Sequence, residues 1–152
     1  NLIVTGSLNK AMGTPAGLIL GDASVIDHLK KSPWYTGASP YAPCFGYALN
    51  SILLSEQLQE AHSGLLSNVD YFQKRLRSQA LFTQVENYPV FCSYESRLFD
   101  YLLEKGIMAS CFPYPSPTDK PVTRVVIGAV HTKKDLDQLT EACNLFAKQF
   151  SY

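Results

Sequence analysis

Apolar positions recur along this chain first at strand spacing, then at helical spacing, then as a mixture of the two. Residues 1–6 form a short apolar run with no cap or turn ahead of it, the pattern of a buried strand, and a chain that begins inside a strand is expected to be a fragment. A second run, Ala16-Gly17-Leu18-Ile19-Leu20, follows a glycine-rich bend at residues 12–15 and predicts another strand. Gly21 and Asp22 then open a helix reaching about Lys31, with Asp22 suited to cap it. Residues 32–43 mix Gly37 and three prolines with Trp34, Tyr35 and Tyr41, which predicts an ordered loop. From about Ala42 to His62, Phe45, Leu49, Ile52 and Leu53 recur at helical spacing, and Leu65, Val69, Phe72 and Leu76 do so again after Gly64. Two helices, or one long kinked helix, are expected.

Beyond Ala80 strand candidates at 85–94, 107–112 and 122–129 alternate with a helix at 96–105, an α+β texture with antiparallel pairing. Thr132 followed by Asp135 resembles a capping box, and Leu136, Leu139, Cys143, Phe146 and Phe150 supply the apolar stripe of a last helix. The change of texture puts a domain boundary in the stretch 64–80.

Composition narrows the function classes. The chain has 152 residues, 46% hydrophobic and 17% charged, enough to bury a core. Thirteen basic residues balance thirteen acidic ones, which argues against a nucleic-acid or anionic-membrane partner. The longest apolar runs are too short to span a bilayer, so a cytoplasmic location is expected. Cys44, Cys92, Cys111 and Cys143 lie far apart without a CxxC pair and read as reduced, mostly buried thiols.

The most informative stretch is Thr5-Gly6-Ser7-Leu8-Asn9-Lys10-Ala11-Met12-Gly13. It sets a lysine just past a strand and among small residues, where a flat group can approach the backbone. Partial desolvation there would ease loss of the lysine proton, as condensation with an aldehyde requires. On texture alone, Lys10 reads as a solvated surface charge.

Ser7-x-x-Lys10-x-x-Gly13, followed by residues 16–21, resembles the cofactor-lysine segment of the α-oxoamine synthases, which are fold-type-I pyridoxal 5'-phosphate (PLP) enzymes. The resemblance runs along essentially the whole chain. In that family the lysine carries PLP as a Schiff base and the hydroxyl residue three positions earlier contacts the cofactor phosphate; these roles fall on Lys10 and Ser7. Residues 35–40 resemble the segment whose hydroxyl reaches the phosphate of a neighbouring subunit's cofactor, which implies a homodimer and a role for Thr36. A turn residue that bonds its own backbone is the alternative reading of Thr36. Arg124-Val125-Val126-Ile127-Gly128-Ala129-Val130-His131-Thr132 resembles the family segment whose arginine grips the substrate carboxylate. A planar guanidinium suits that task, and an arginine within an apolar strand needs a partner. The alternative for Arg124 is a surface-facing position. His131 is expected to help form the turn before the last helix. Asn9 stands where the family usually has glycine, and Gly37 where many members have a second hydroxyl residue.

The implied fold class is α/β, the C-terminal part of a PLP-dependent transferase (aspartate aminotransferase-like) fold with an α+β small domain. Residues 1–63 would belong to the large PLP-binding domain and 64–152 would form the small domain. The implied activity is condensation of an amino acid with an acyl-CoA to an α-aminoketone, with Lys10 as base and acid. The aspartate, histidine and glycine-rich loop that complete such a site are not in this chain, so the fragment alone is expected to be a poor catalyst. An aminotransferase or other fold-type-I enzyme, and a non-catalytic interaction module of the same fold, are the competing readings.

Overall fold

The computed structural model describes residues 2–151 and divides into two compact units, one ending at Leu58 and one starting at Gln59. In the first unit, β1 (Val4–Ser7) and β2 (Gly17–Leu20) pair as an antiparallel hairpin with Val4 opposite Leu20 and Ser7 opposite Gly17. Helices α1 (Ala23–Lys30), α2 (Pro33–Thr36) and α3 (Pro43–Leu53) follow. The sequence points to buried strands here, yet every residue of β1 and β2 is exposed. A two-stranded ribbon has two faces to cover, and although Ile26 and Leu29 of α1 border an open depression with Thr5, Leu18 and Ile19, no residue of either strand is buried.

Local chemistry explains the remaining departures in this unit. Asp22 stands at the N-cap position of α1, but its side chain makes no cap hydrogen bond. Within the expected loop at 32–43 a single helical turn forms instead, because Pro33 presets the first helical φ and the Ser32 hydroxyl accepts the Tyr35 N–H. The break between the two long helices falls at Leu54 and Ser55, not at Gly64. The Ser55 hydroxyl and amide both donate to the Ile52 carbonyl, ending α3, and Glu56 opens α4 (Glu56–Arg75) with a negative charge at its positive end. Gly64 lies inside α4, where a glycine costs about 1 kcal/mol relative to alanine but does not stop a helix.

The second unit holds a four-stranded antiparallel sheet in the order β3-β4-β6-β5. Its strands are β3 (Thr83–Gln84), β4 (Val90–Ser93), β5 (Ser110–Pro113) and β6 (Pro121–Val126), with α5 (Ser96–Glu104) and α6 (Lys133–Phe150) between and after them. The single strand expected at 85–94 is a hairpin, its turn carried by Asn87 at φ 56, a left-handed conformation that asparagine tolerates. Strand β5 starts three residues later than expected. Gly106, at φ 74, closes α5 with paired bonds from the Gly106 amide to the Leu103 carbonyl and from the Ile107 amide to the Leu102 carbonyl.

The hydrophobic core sits in this unit, and among the described residues every buried hydrophobic side chain lies at or beyond Val69. Phe72 of α4 meets Phe91 of β4 edge to face at 4.8 Å, and Phe82 joins them. Leu136, Leu139, Cys143 and Phe146 supply the α6 stripe as its spacing predicts, with Phe150 packed at its end. Each such large side chain contributes about 1.5–3 kcal/mol on burial.

Candidate active site

Lys10 stands in the connection between β1 and β2. The Leu8 amide donates to the Ala16 carbonyl, the Thr14 amide to the Leu8 carbonyl and the Gly13 amide to the Lys10 carbonyl, so residues 8–16 form an ordered crown. Gly13 adopts φ 60, which allows the chain to turn immediately after Lys10. Thr14 is buried, and its hydroxyl lies 2.6 Å from the Tyr41 hydroxyl. That pair ties the crown to the segment before α3 and was not foreseeable from spacing. The Lys10 side chain is exposed, not desolvated, and among the described residues no carboxylate pairs with it. Ser7 ends β1, is exposed, and accepts the Asn9 amide on its Oγ. Ser7 and Lys10 therefore share one hairpin.

Thr36 ends α2, and its hydroxyl donates toward the carbonyls of Ser32 at 3.2 Å and Pro33 at 3.3 Å. The backbone-bonding alternative describes its present state. An open depression of about 710 Å³ in the same unit is walled by Leu8, Pro15, Ala16, Tyr35, Tyr41 and Phe45. Neither Ser7 nor Lys10 lines it.

Arg124 lies in the second unit, on the central strand β6, opposite Cys92 on one side and Ser110 on the other. It is half-buried, and the partner its strand position demands is aromatic. Its guanidinium carbon lies 4.2 Å from the Phe112 ring centroid and 4.8 Å from that of Tyr114. Among the described residues no carboxylate forms an ion pair with it. Sequence reasoning missed Phe112 and Tyr114; the available signal was their alternation with prolines two positions apart in an exposed segment.

His131 forms the turn before α6, as expected: its Nδ1 accepts the Gly128 amide at 3.0 Å. The cysteines differ from expectation, since only Cys143 is buried, Cys92 and Cys111 are half-buried, and Cys44 is exposed on α3. Burial pushes the Cys143 thiol up to about 12, which makes it inert at neutral pH. Among the described residues no cluster of histidine, cysteine and acidic side chains could hold a metal ion, and no helix is long and apolar enough to cross a membrane.

Comparison with known proteins places these elements in a family. The 8-amino-7-oxononanoate synthase of Thermosipho melanesiensis is 33% identical over 144 residues, covering 89% of this chain and 37% of the relative. That of Symbiobacterium thermophilum is 32% identical over 155 residues, covering 96% and 39%. The chain thus spans about two fifths of the length of the curated relatives it matches. Among solved structures, the 8-amino-7-oxononanoate synthase of Francisella tularensis matches with a TM-score of 0.73 at 20% identity, over 99% of this chain and 47% of its own. A serine palmitoyltransferase from S. paucimobilis matches with a TM-score of 0.75 at 17% identity, over 98% and 40%. The fold is therefore that of a fold-type-I PLP-dependent transferase, and the relatives are α-oxoamine synthases, as the motifs around Lys10 and Arg124 suggest. The family model for aminotransferase class I and II matches residues 1–143, and the chain belongs to that family.

Proposed function

We propose that the protein to which this chain contributes is a PLP-dependent acyltransferase that condenses an amino acid with an acyl-CoA to give an α-aminoketone. The observation that carries this reading is the lysine on the hairpin crown, in the motif Ser7-x-x-Lys10-x-x-Gly13, within a chain whose curated relatives are 8-amino-7-oxononanoate synthases. The residues present suit the cofactor: the Lys10 amine is exposed and, among the described residues, has no ion-pair partner, so it is open to an aldehyde. When bound, PLP supplies the carbonyl that takes the amino group and the electron sink for charge at the α-carbon.

Lys10 would hold the cofactor through Nζ, and the same amine would move a proton to and from the substrate α-carbon. Ser7 bonds the phosphate through Oγ. Thr36 does so for the partner subunit's cofactor in a homodimer, after turning its hydroxyl away from the Ser32 and Pro33 carbonyls. Arg124 holds the substrate carboxylate with two parallel N–H bonds. Residues 1–63 serve as part of the cofactor domain and 64–152 as the small domain, in a cytoplasmic enzyme.

The test uses the full-length protein loaded with PLP. Borohydride reduction and peptide mapping should place the cofactor on Lys10; a label on Lys30 or Lys105 overturns the assignment. Release of free CoA from an acyl-CoA in the presence of L-alanine, glycine or L-serine supports condensation. Amino transfer to a keto acid without CoA release favours instead the aminotransferase reading, which the breadth of the matching family keeps in view.

A further inference from the structure

We infer that Phe112 and Tyr114 are positioning residues for Arg124, forming an aromatic cradle that turns its guanidinium edge outward to a planar anion; this rests on the reading of Arg124 as the carboxylate-binding residue. The strand register builds the cradle. Ser110 pairs with Arg124 and Phe112 with Val122, so Ser110 and Phe112 project from the same sheet face as Arg124. The cross-strand neighbours of Arg124, Cys92 and Ser110, are short, and the guanidinium carbon lies 4.2 Å from the ring centroid of Phe112 and 4.8 Å from that of Tyr114.

A guanidinium packed against a ring through its flat face keeps its N–H groups pointing outward in its own plane, the geometry that bidentate carboxylate binding needs. The rings contribute no acceptor oxygen from their carbon faces, so they orient the cation without neutralising it. Among the described residues no acidic side chain reaches Arg124 to compete for that edge. Both rings are substantially exposed, Phe112 at 47% and Tyr114 at 60%, so their removal leaves the hydrophobic core intact.

The experiment measures amino-acid binding and turnover in the full-length, PLP-loaded protein with L-alanine and with L-alaninamide, which lacks the carboxylate. The double variant Phe112→Leu/Tyr114→Leu should weaken L-alanine binding by roughly fivefold to thirtyfold, the range for losing two partly exposed cation–π contacts. The effect should fall on KM rather than on kcat and should be small for L-alaninamide. Phe112→Tyr with Tyr114→Phe, which keeps both rings, should restore binding. In an Arg124→Lys background the leucine pair should cost little more, since the fork it positions is gone. An equal loss for L-alaninamide, or a full loss in the Arg124→Lys background, overturns the inference. If Arg124→Lys weakens L-alanine while the leucine pair does not, the positioning role alone fails. If Arg124→Lys leaves L-alanine binding unchanged, the carboxylate reading fails and the inference with it.

Discussion

Asn68, buried on α4, binds both ends of the turn that leads from β6 to α6: its Nδ2 donates to the Gly128 carbonyl at 3.1 Å and to the His131 carbonyl at 2.9 Å. One side chain thus fixes the turn that also sets the start of the last helix. The Lys133 amine reaches the remaining oxygen, Asn68 Oδ1, at 3.4 Å.

Replacing Asn68 with leucine should therefore cost more than its change in polarity suggests. Two carbonyls in a half-buried turn lose their donor, and each such loss costs about 1–3 kcal/mol. Urea unfolding should show a lower midpoint, equivalent to a loss of stability of that order. Asn68→Asp should not rescue it, because a carboxylate cannot donate to either carbonyl. A midpoint unchanged in Asn68→Leu means water replaces the amide at no cost.

The start of α6 carries a pH dependence. Thr132 donates to Asp135 Oδ2 from its backbone N–H at 2.8 Å and from its hydroxyl at 2.7 Å, while the Asp135 amide donates to Thr132 Oγ1, completing the capping box. These bonds to Thr132 hold the Asp135 carboxyl below its usual value of 3.8. Because the folded value is depressed, the stabilisation is present above the usual value and is lost as pH falls through the folded one. The native chain should exceed Asp135→Ala in thermal stability at neutral pH, and the gap should close as pH is lowered below 3.8. A gap independent of pH would show that the charge is not involved.

Hydrogen exchange should separate the two units. In β1 and β2 the side chains are all exposed and the pair has no third strand, whereas β6 lies between two strands over the core. Amides of β1 and β2 in this 152-residue chain should exchange at least about tenfold faster than those of residues 122–126 and the middle of α6. Equal protection would contradict this, unless the protein self-associates at higher concentration and covers the hairpin.

What was legible in the sequence is what depends on local spacing. The Thr132–Asp135 capping box, the α6 stripe and the glycine that allows the turn after Lys10 each involve residues within a turn or two of one another, and backbone periodicity dictates their meeting. The Lys10 and Arg124 segments were likewise legible, as motifs. Tertiary structure alone decided the rest. Asn68 meets Gly128 across 60 positions, and Arg124 finds its aromatic partners only because β5 pairs with β6 in one register; a slip of one residue would send Phe112 to the opposite face. The apolar run in β1 and β2 states that these side chains favour burial, but a period of two carries no information about what covers them. In this chain Val4, Leu18, Ile19 and Leu20 stay exposed, because burial is a property of the neighbours a fold brings together and not of the strand that presents the side chain.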